Sequence, residues 1–147
     1  MPSYANALNS KVLGTVSASA DIVNIQSLPM YVVSLLSSTP SVDLTSVAKV
    51  NLYTVPSGKT CMVTHVIIRN ASVSLTLAVV GFGFDSIATN YNTGIVLAAL
   101  TTSTKYSIVS SVLGAIVGAA TDIFGILPTS IQTGGGTVTV DVFGYLI

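Results

Sequence analysis

From Val47 onward the chain alternates apolar and polar positions with the period of two that a half-buried strand requires. Lys49 to Val55 sets Val50 and Leu52 on one face, and Val55–Pro56–Ser57–Gly58 closes it as a turn, with Pro fixing φ and Gly ending it. Thr60 to Asn70 is apolar on both sides, which predicts a central strand, and Asn70–Ala71–Ser72 is the next turn. Val73, Leu75, Leu77 and Val79 alternate with Ser74, Thr76 and Ala78 and predict another strand. The phase then slips to Val80, Phe82 and Phe84, with Gly81 and Gly83 permitting a bulge. Asp85 to Thr93 is polar and loop-like. Gly94 to Leu100 and Lys105 to Val109 read as strands on either side of a turn at Thr101–Thr104. Ser111 to Ala120 has helical spacing at Val112, Leu113, Ile116 and Val117. Gly114 and Gly118 weaken a helix there by about 1 kcal/mol each, so an irregular or bent strand is expected. Asp122 to Ile126 and Thr137 to Leu146 are two strands joined through Gly134–Gly135–Gly136. Seven or more short strands with regular turn signals and no intervening helices predict an antiparallel sandwich or barrel.

The first 46 residues differ. Asp21 to Gln26 and Met30 to Leu36 have strand character, Ser37–Ser38–Thr39–Pro40–Ser41 reads as a loop, and the whole is too short to bury a core of its own. The expected organisation is therefore an arm or accessory strands over 1–46 and a β-domain over 47–147. An uncharged, strand-competent arm is expected to pair with something, because a free sheet edge invites strand addition.

Composition sharpens this. Val, Ile and Thr make up 50 of the 147 residues, a strand-forming mixture. Hydrophobic residues are 50% and charged residues 7%, and the mean hydropathy is +0.80. A membrane span needs about 20 consecutive apolar residues. Tyr106 to Thr121 is too short and too rich in Ser and Gly, and Ile22 to Val42 carries Asn24, Gln26 and Pro29. No basic segment followed by an apolar run opens the chain, so neither a span nor a secretory signal is expected. Five Lys and Arg balance five acids, all of them Asp. The basic residues Lys11, Lys49, Lys59, Arg69 and Lys105 are scattered, which argues against nucleic-acid binding. So few charges protect a free surface poorly, whereas obligate interfaces are depleted in charge. Coverage by partner subunits is therefore expected.

Catalytic and metal chemistry is sparse. Cys61 and His65 are the lone Cys and His. On a regular strand they share a face about 13 Å apart, beyond the reach of a dyad. The single thiol excludes an internal disulfide. No ligand pair stands at zinc spacing, and nothing in the placement of the aspartates, Asp85 and Asp122 included, supports calcium. Gly58–Lys59–Thr60 ends like a phosphate-binding loop, but Tyr53 replaces its first Gly and a strand follows it. Gly81–Phe82–Gly83 lacks the third Gly and the helix of a dinucleotide loop. Asn70–Ala71–Ser72 matches a glycosylation sequon, which matters only in a secreted eukaryotic protein. No cofactor, metal or catalytic residue is expected. A ligand, if one binds, is expected at the polar loop, with Asp85, Asn90, Tyr91 and Asn92 as contacts and Tyr91 exposed for stacking on a sugar.

Two segments carry a resemblance. Asn51–Leu52–Tyr53–Thr54–Val55–Pro56–Ser57–Gly58–Lys59–Thr60, continuing into Val66–Ile67–Ile68–Arg69–Asn70, resembles the opening of small β-sandwich virion proteins of tailed bacteriophages. Asp122–Ile123–Phe124–Gly125–Ile126 with Thr137–Val138–Thr139–Val140–Asp141–Val142–Phe143–Gly144–Tyr145–Leu146 resembles their closing hairpin. The resemblance covers Val50 to Ile147, and such sandwiches occur as head decorations, head fibres and tail accessories. It implies an all-β, antiparallel jelly-roll-like β-sandwich with an extended N-terminal arm, located in the virion and assembled in the bacterial host cytoplasm. The implied role is a non-enzymatic capsid decoration (cement) protein that self-associates, as a homotrimer, and contacts the major capsid protein or another virion protein. In similar decoration proteins an arm adds a strand to a neighbour or grips the capsid lattice. Ile22, Val23, Ile25, Met30, Tyr31, Val32, Val33, Leu35 and Leu36 are the residues in question here. The alternative is a tail or head-fibre receptor-binding module that recognises a cell-surface glycan through the Asp85–Thr93 loop. An enzyme would require hydrolysis lost on His65→Ala or on an Asp→Asn change.

Overall fold

The computed structural model describes residues 33–102, 106–110 and 117–147, with backbone alone for 106–108. The chain divides into two units, Met1–Tyr31 and Val32–Ile147, and every described residue lies in the second. That unit is all-β. Its strands are β1 (Ser34–Asp43), β2 (Val50–Thr54), β3 (Cys61–Arg69), β4 (Val79–Gly83), β5 (Asn92–Val96), β6 (Tyr106–Ser110), β7 (Val117–Gly118), β8 (Ile123–Ser130) and β9 (Thr137–Leu146).

Two antiparallel sheets form, as the alternation predicts. One has the order β1-β9-β3-β6 with β7 also on β3, and the other has the order β2-β8-β4-β5. We call them the first and second sheet. They share one core. Val63, Val66, Ile68, Val138, Val140 and Val142 come from the first sheet, and Leu52, Val80, Phe82, Phe124 and Ile126 from the second. Phe124 sits at an aromatic cluster, with Phe84 and Tyr91 edge-on at 5.1 and 5.3 Å and Phe82 stacked at 6.3 Å. Such contacts add about 0.5–1.5 kcal/mol each beyond area burial.

Three elements depart from the sequence reading. The stretch 33–46, assigned to the arm, belongs to the sandwich. β1 pairs along β9 from Ser34↔Gly144 to Asp43↔Thr137, and Val42 and Leu44 are buried. Ser37–Ser41 is accordingly strand, not loop. The loop signals in it register as irregularities: Pro40 and Ser41, the latter at φ 55°, fall in a register shift between Thr39 and Val42. An edge strand tolerates Pro at such a bulge because no ladder donor is lost there. Second, the alternating run Val73–Leu77 is not a strand. Its backbone bonds run elsewhere, Leu75 N–H to the Leu100 carbonyl at 3.1 Å and Leu77 N–H to Gln132 Oε1 at 3.1 Å. Leu75 is buried as a plug of the core. Third, β3 carries a register shift between Val63 and His65 against β9, so Thr64 is an extra residue there. The bulge inverts the facing of the strand. Cys61 and Val63 are buried before it and Val66 and Ile68 after it. Of the ambiguous piece 111–120, residues 111–116 lie outside the described residues, and 117–118 form β7.

Candidate assembly surface

The polar loop expected to bind a ligand is folded against the protein. Gly81 and Gly83 of β4 face away from the core, between the buried Ala78, Val80 and Phe82. The loop lies on these two glycines. A Cβ at Gly81 would stand 2.7 Å from the Ala88 carbonyl oxygen, and one at Gly83 would meet Asn90 Oδ1 and stand 2.5 Å from Asp85 Oδ1. The glycines are thus required for close approach of the loop. Within it, the Asp85 carboxylate accepts from Thr89 N–H at 2.7 Å, the Thr89 hydroxyl at 2.8 Å and Asn90 N–H at 3.1 Å. Asn90 Oδ1 accepts from Phe84 N–H at 2.8 Å. Partial burial pushes the Asp85 pKa up, but the bonds from Asn90 and Thr89 outweigh it and hold the carboxyl below its usual range.

Tyr91 is not an exposed stacking platform. Its ring is fully buried, its N–H bonds the Phe82 carbonyl at 3.0 Å, and its hydroxyl donates to the Thr64 carbonyl at 3.0 Å. A second contact joins that hydroxyl to the Val109 carbonyl at 3.4 Å. Tyr91 therefore ties the two sheets together across the core and meets the carbonyl that the β3 bulge releases from the ladder. Asn92 Nδ2 donates to the Ser110 carbonyl at 2.7 Å. The polar groups named as ligand contacts thus satisfy one another or the backbone.

Lys49, which sequence reasoning passed over, locks the same region. Its stem crosses Gly125, whose added Cβ would meet Lys49 Cε. Its ammonium donates to the carbonyls of Asp85 at 2.7 Å, Ile123 at 3.1 Å and Phe84 at 3.5 Å. The signal that could have found it is the glycine opposite a long side chain, and register is needed to see that.

On the outer face of the first sheet, Arg69 grips Asp141 through Nε at 2.6 Å and Nη2 at 3.2 Å, and Ser38 Oγ donates to Asp141 at 2.5 Å. Three strands meet in this cluster. The Arg69 bond, aided by Ser38 and opposed by partial burial, holds the Asp141 carboxyl below its usual range. Asp43 caps Thr45 through its N–H at 2.8 Å and hydroxyl at 2.7 Å, and Asp122 accepts from Ala119 N–H at 2.8 Å. Among the described residues, Lys49, Arg69, Asp85 and Asp141 are thus engaged in part-buried bonds to the chain's own polar groups, Asp43 and Asp122 make local bonds in exposed turns, and Lys59 stands outside such bonds.

The reactive side chains are separated. Cys61 is buried, and burial pushes its thiol up to about 11. His65 lies on the opposite face, because of the bulge, stacked on Phe143 at 4.7 Å with Nδ1 3.0 Å from the Thr64 hydroxyl. The expectation that Cys61 and His65 share a face is corrected accordingly. Among the described residues no group of three or more His, Cys, Asp or Glu is placed to hold a metal ion.

Of the arm residues, Ile22, Val23, Ile25, Met30, Tyr31 and Val32 lie outside the described residues. Val33 and Leu35 are exposed at 39% and 53%, and Leu36 is half-buried against the core. Leu36 is the extra residue between Leu35↔Phe143 and Ser37↔Val142, and its side chain turns in over Gly144.

No protein-family model and no curated protein matches the chain. Among solved structures, a chain of the cyanophage Pam1 capsid asymmetric unit is similar, with a TM-score of 0.53 and 16% identity over 81% of this chain and 91% of that one. The likeness is one of fold. A chain of the acidic stable capsid of Helicobacter pylori bacteriophage KHP30 matches with a TM-score of 0.44 and 18% identity, over 80% of this chain and 97% of that one.

Proposed function

We propose that this protein is a non-enzymatic structural component of a bacteriophage virion and, more finely, a capsid decoration protein. In this reading it self-associates, as a homotrimer, on a shell of major capsid protein. Residues 22–32, which precede the sandwich strands in sequence, serve as an assembly arm, and the particle is built in the host cytoplasm. The observation that carries the reading is the inward use of charge. With Lys49, Arg69, Asp85 and Asp141 held in part-buried bonds within the chain, Asp43, Lys59 and Asp122 are the charged side chains left exposed among the described residues, a surface poor in charge as interface cores are. The fold shared with a cyanophage capsid chain supports it. Many neutral contacts of modest strength, repeated around a shell, hold a coat in place by multivalency.

The alternative, a glycan-recognising tail or fibre module, needs an exposed aromatic at the Asp85–Thr93 loop, and Tyr91 is interior. The deciding experiment is copy number per particle by quantitative mass spectrometry of purified virions of the encoding phage. Hundreds of copies are expected. A handful would move the protein to the tail or a vertex, and none would overturn the virion reading.

A further inference from the structure

We infer that the outer face of the second sheet is the self-association surface, and that a second copy of this chain covers it. Val79 of β4 and Val96 of β5 are direct cross-strand partners, and both point away from the core, between buried or core-packed neighbours. Val79 also pairs with Ser130, the last residue of β8, which places Ile131 just past the end of that strand. Gln132 then reaches back to the N–H of Leu77 at 3.1 Å. Leu127, opposite Gly81, and Ile87, on the loop that lies over Gly81 and Gly83, extend the stripe along the same face. Val96 is exposed at 65%, Ile87 at 58%, Leu77 at 49% and Ile131 at 38%.

Two features of this face identify its occupant. The first is charge. Among the described residues, the ionic groups beside the stripe, Lys49 and Asp85, are both bonded to the protein itself, so a charged partner would be desolvated there without compensation. The partner must present a neutral apolar β-surface, and this stripe is one. The outer face of the first sheet differs, because the Arg69–Asp141 pair stands in its middle. The second is area. Four large aliphatic residues of the stripe stand 38–65% exposed on one face. A standard interface buries about 800 Å² per partner, a little over half of it apolar. The stripe supplies apolar surface to such an interface on each copy. Strand addition is the less suited mode here. β5 bears Gly94 at φ 69° with a register shift beside it, and β1 bears Pro40 and Ser41, so one edge of each sheet is blunted.

This inference rests on the structural-protein reading for its biological sense, but its test is separate. Full-length protein is analysed by sedimentation velocity over a concentration series. The wild type is expected to sediment as an oligomer. Val96→Asp is expected to weaken association by roughly tenfold or more, since it places an unpaired charge in a desolvated contact. Ile87→Asp, on a separate element, is expected to do the same, and Val117→Asp, on β7 of the first sheet, to leave the mass unchanged. Circular dichroism checks that each variant is folded, and Ile87→Asp keeps the test decisive if Val96→Asp is not. A monomeric wild type would overturn the inference. So would dissociation by Val117→Asp with Val96→Asp and Ile87→Asp still assembled. A monomer present in hundreds of copies per virion would sink this inference and the trimer with it, and leave the virion structural role standing. An oligomer broken by Val96→Asp in a protein absent from virions would do the reverse.

Discussion

Replacing Tyr91 by Phe removes one oxygen and nothing else, which makes it a clean probe of how the bulge in β3 is supported. Thr64 is the residue that the register skips between Val63 and His65, so its carbonyl has no partner on β9. The Tyr91 hydroxyl donates to it at 3.0 Å from the far side of the core. In Tyr91→Phe the ring keeps its edge contact with Phe124 at 5.3 Å, and the part-buried Thr64 carbonyl loses the donor that reaches it across the core. Leaving such a group unsatisfied costs about 1–3 kcal/mol. For a chain of this length that corresponds to a fall in Tm of roughly 3–10 °C. Tyr91→Ala also opens a cavity beside Phe124 and is expected to cost at least about 3–5 kcal/mol. The assay is urea unfolding followed by circular dichroism, at one fixed protein concentration because association stabilises the folded state. A Tyr91→Phe protein within about 0.3 kcal/mol of wild type, with an unchanged m value, would refute the reasoning. It would mean that water reaches Thr64 and takes the place of the hydroxyl.

Lys49→Met keeps the stem over Gly125 but removes the ammonium from the Asp85, Ile123 and Phe84 carbonyls. A loss of about 1–3 kcal/mol and faster hydrogen exchange at the Thr89 and Asn90 amides are expected, and unchanged exchange would show that the loop holds without it. Asp141 and Asp85 have carboxyls held below the ordinary 3.8, so their stabilisation is complete above that value and is lost as pH falls through their lower folded values. Asp141→Asn should therefore lower Tm at pH 7 and flatten the decline below about pH 4, and an acid limb parallel to that of wild type would count against it. The Cys61 thiol should react with a disulfide reagent only after denaturation, because it is buried and its pKa is pushed up to about 11. Rapid labelling of the folded protein would contradict its placement.

The regular strands were legible in the sequence because their alternation is enforced by a single shared core. Val50 and Leu52, Val66 and Ile68, and Val138, Val140 and Val142 each repeat every second residue, and each set faces the core or packs on it. What stayed hidden depends on register. The Thr64 bulge inverts the face of β3, so His65, in phase with Cys61 by counting, is on the opposite side of the sheet. Val73–Leu77 alternates like a strand but lacks a neighbouring edge to pair with, and its amides take Gln132 and Leu100 instead. Ser37–Ser41 has the composition of a loop yet becomes strand because the β9 edge would otherwise be unpaired at the rim of the core. Tyr91 is the sharpest case. A Tyr between two Asn residues in a polar stretch has the local chemistry of a sugar contact. Its burial is decided by a carbonyl released 27 residues earlier, which no local pattern records.

The same dependence on register explains why the assembly surface is read from structure and not from composition. Composition establishes that charge is scarce, with 7% charged residues. It does not say where the few charges go. Scattered over a free surface, ten charges would still dot every face of the sandwich. The fold instead commits Lys49 and Asp85 to one loop, and Arg69 and Asp141 to each other. That commitment engages Lys49 and Asp85, the charged side chains described beside the outer face of the second sheet, while Gly81, Gly83 and Gly125 let the loop and the Lys49 stem lie flat upon it. A protein that needed only solubility would gain from turning those groups outward. Turning them inward lowers the desolvation cost of covering that face, and the face carries Val96, Ile87 and Leu77 about half exposed or more. The geometry is that of a surface suited to burial against another neutral β-surface.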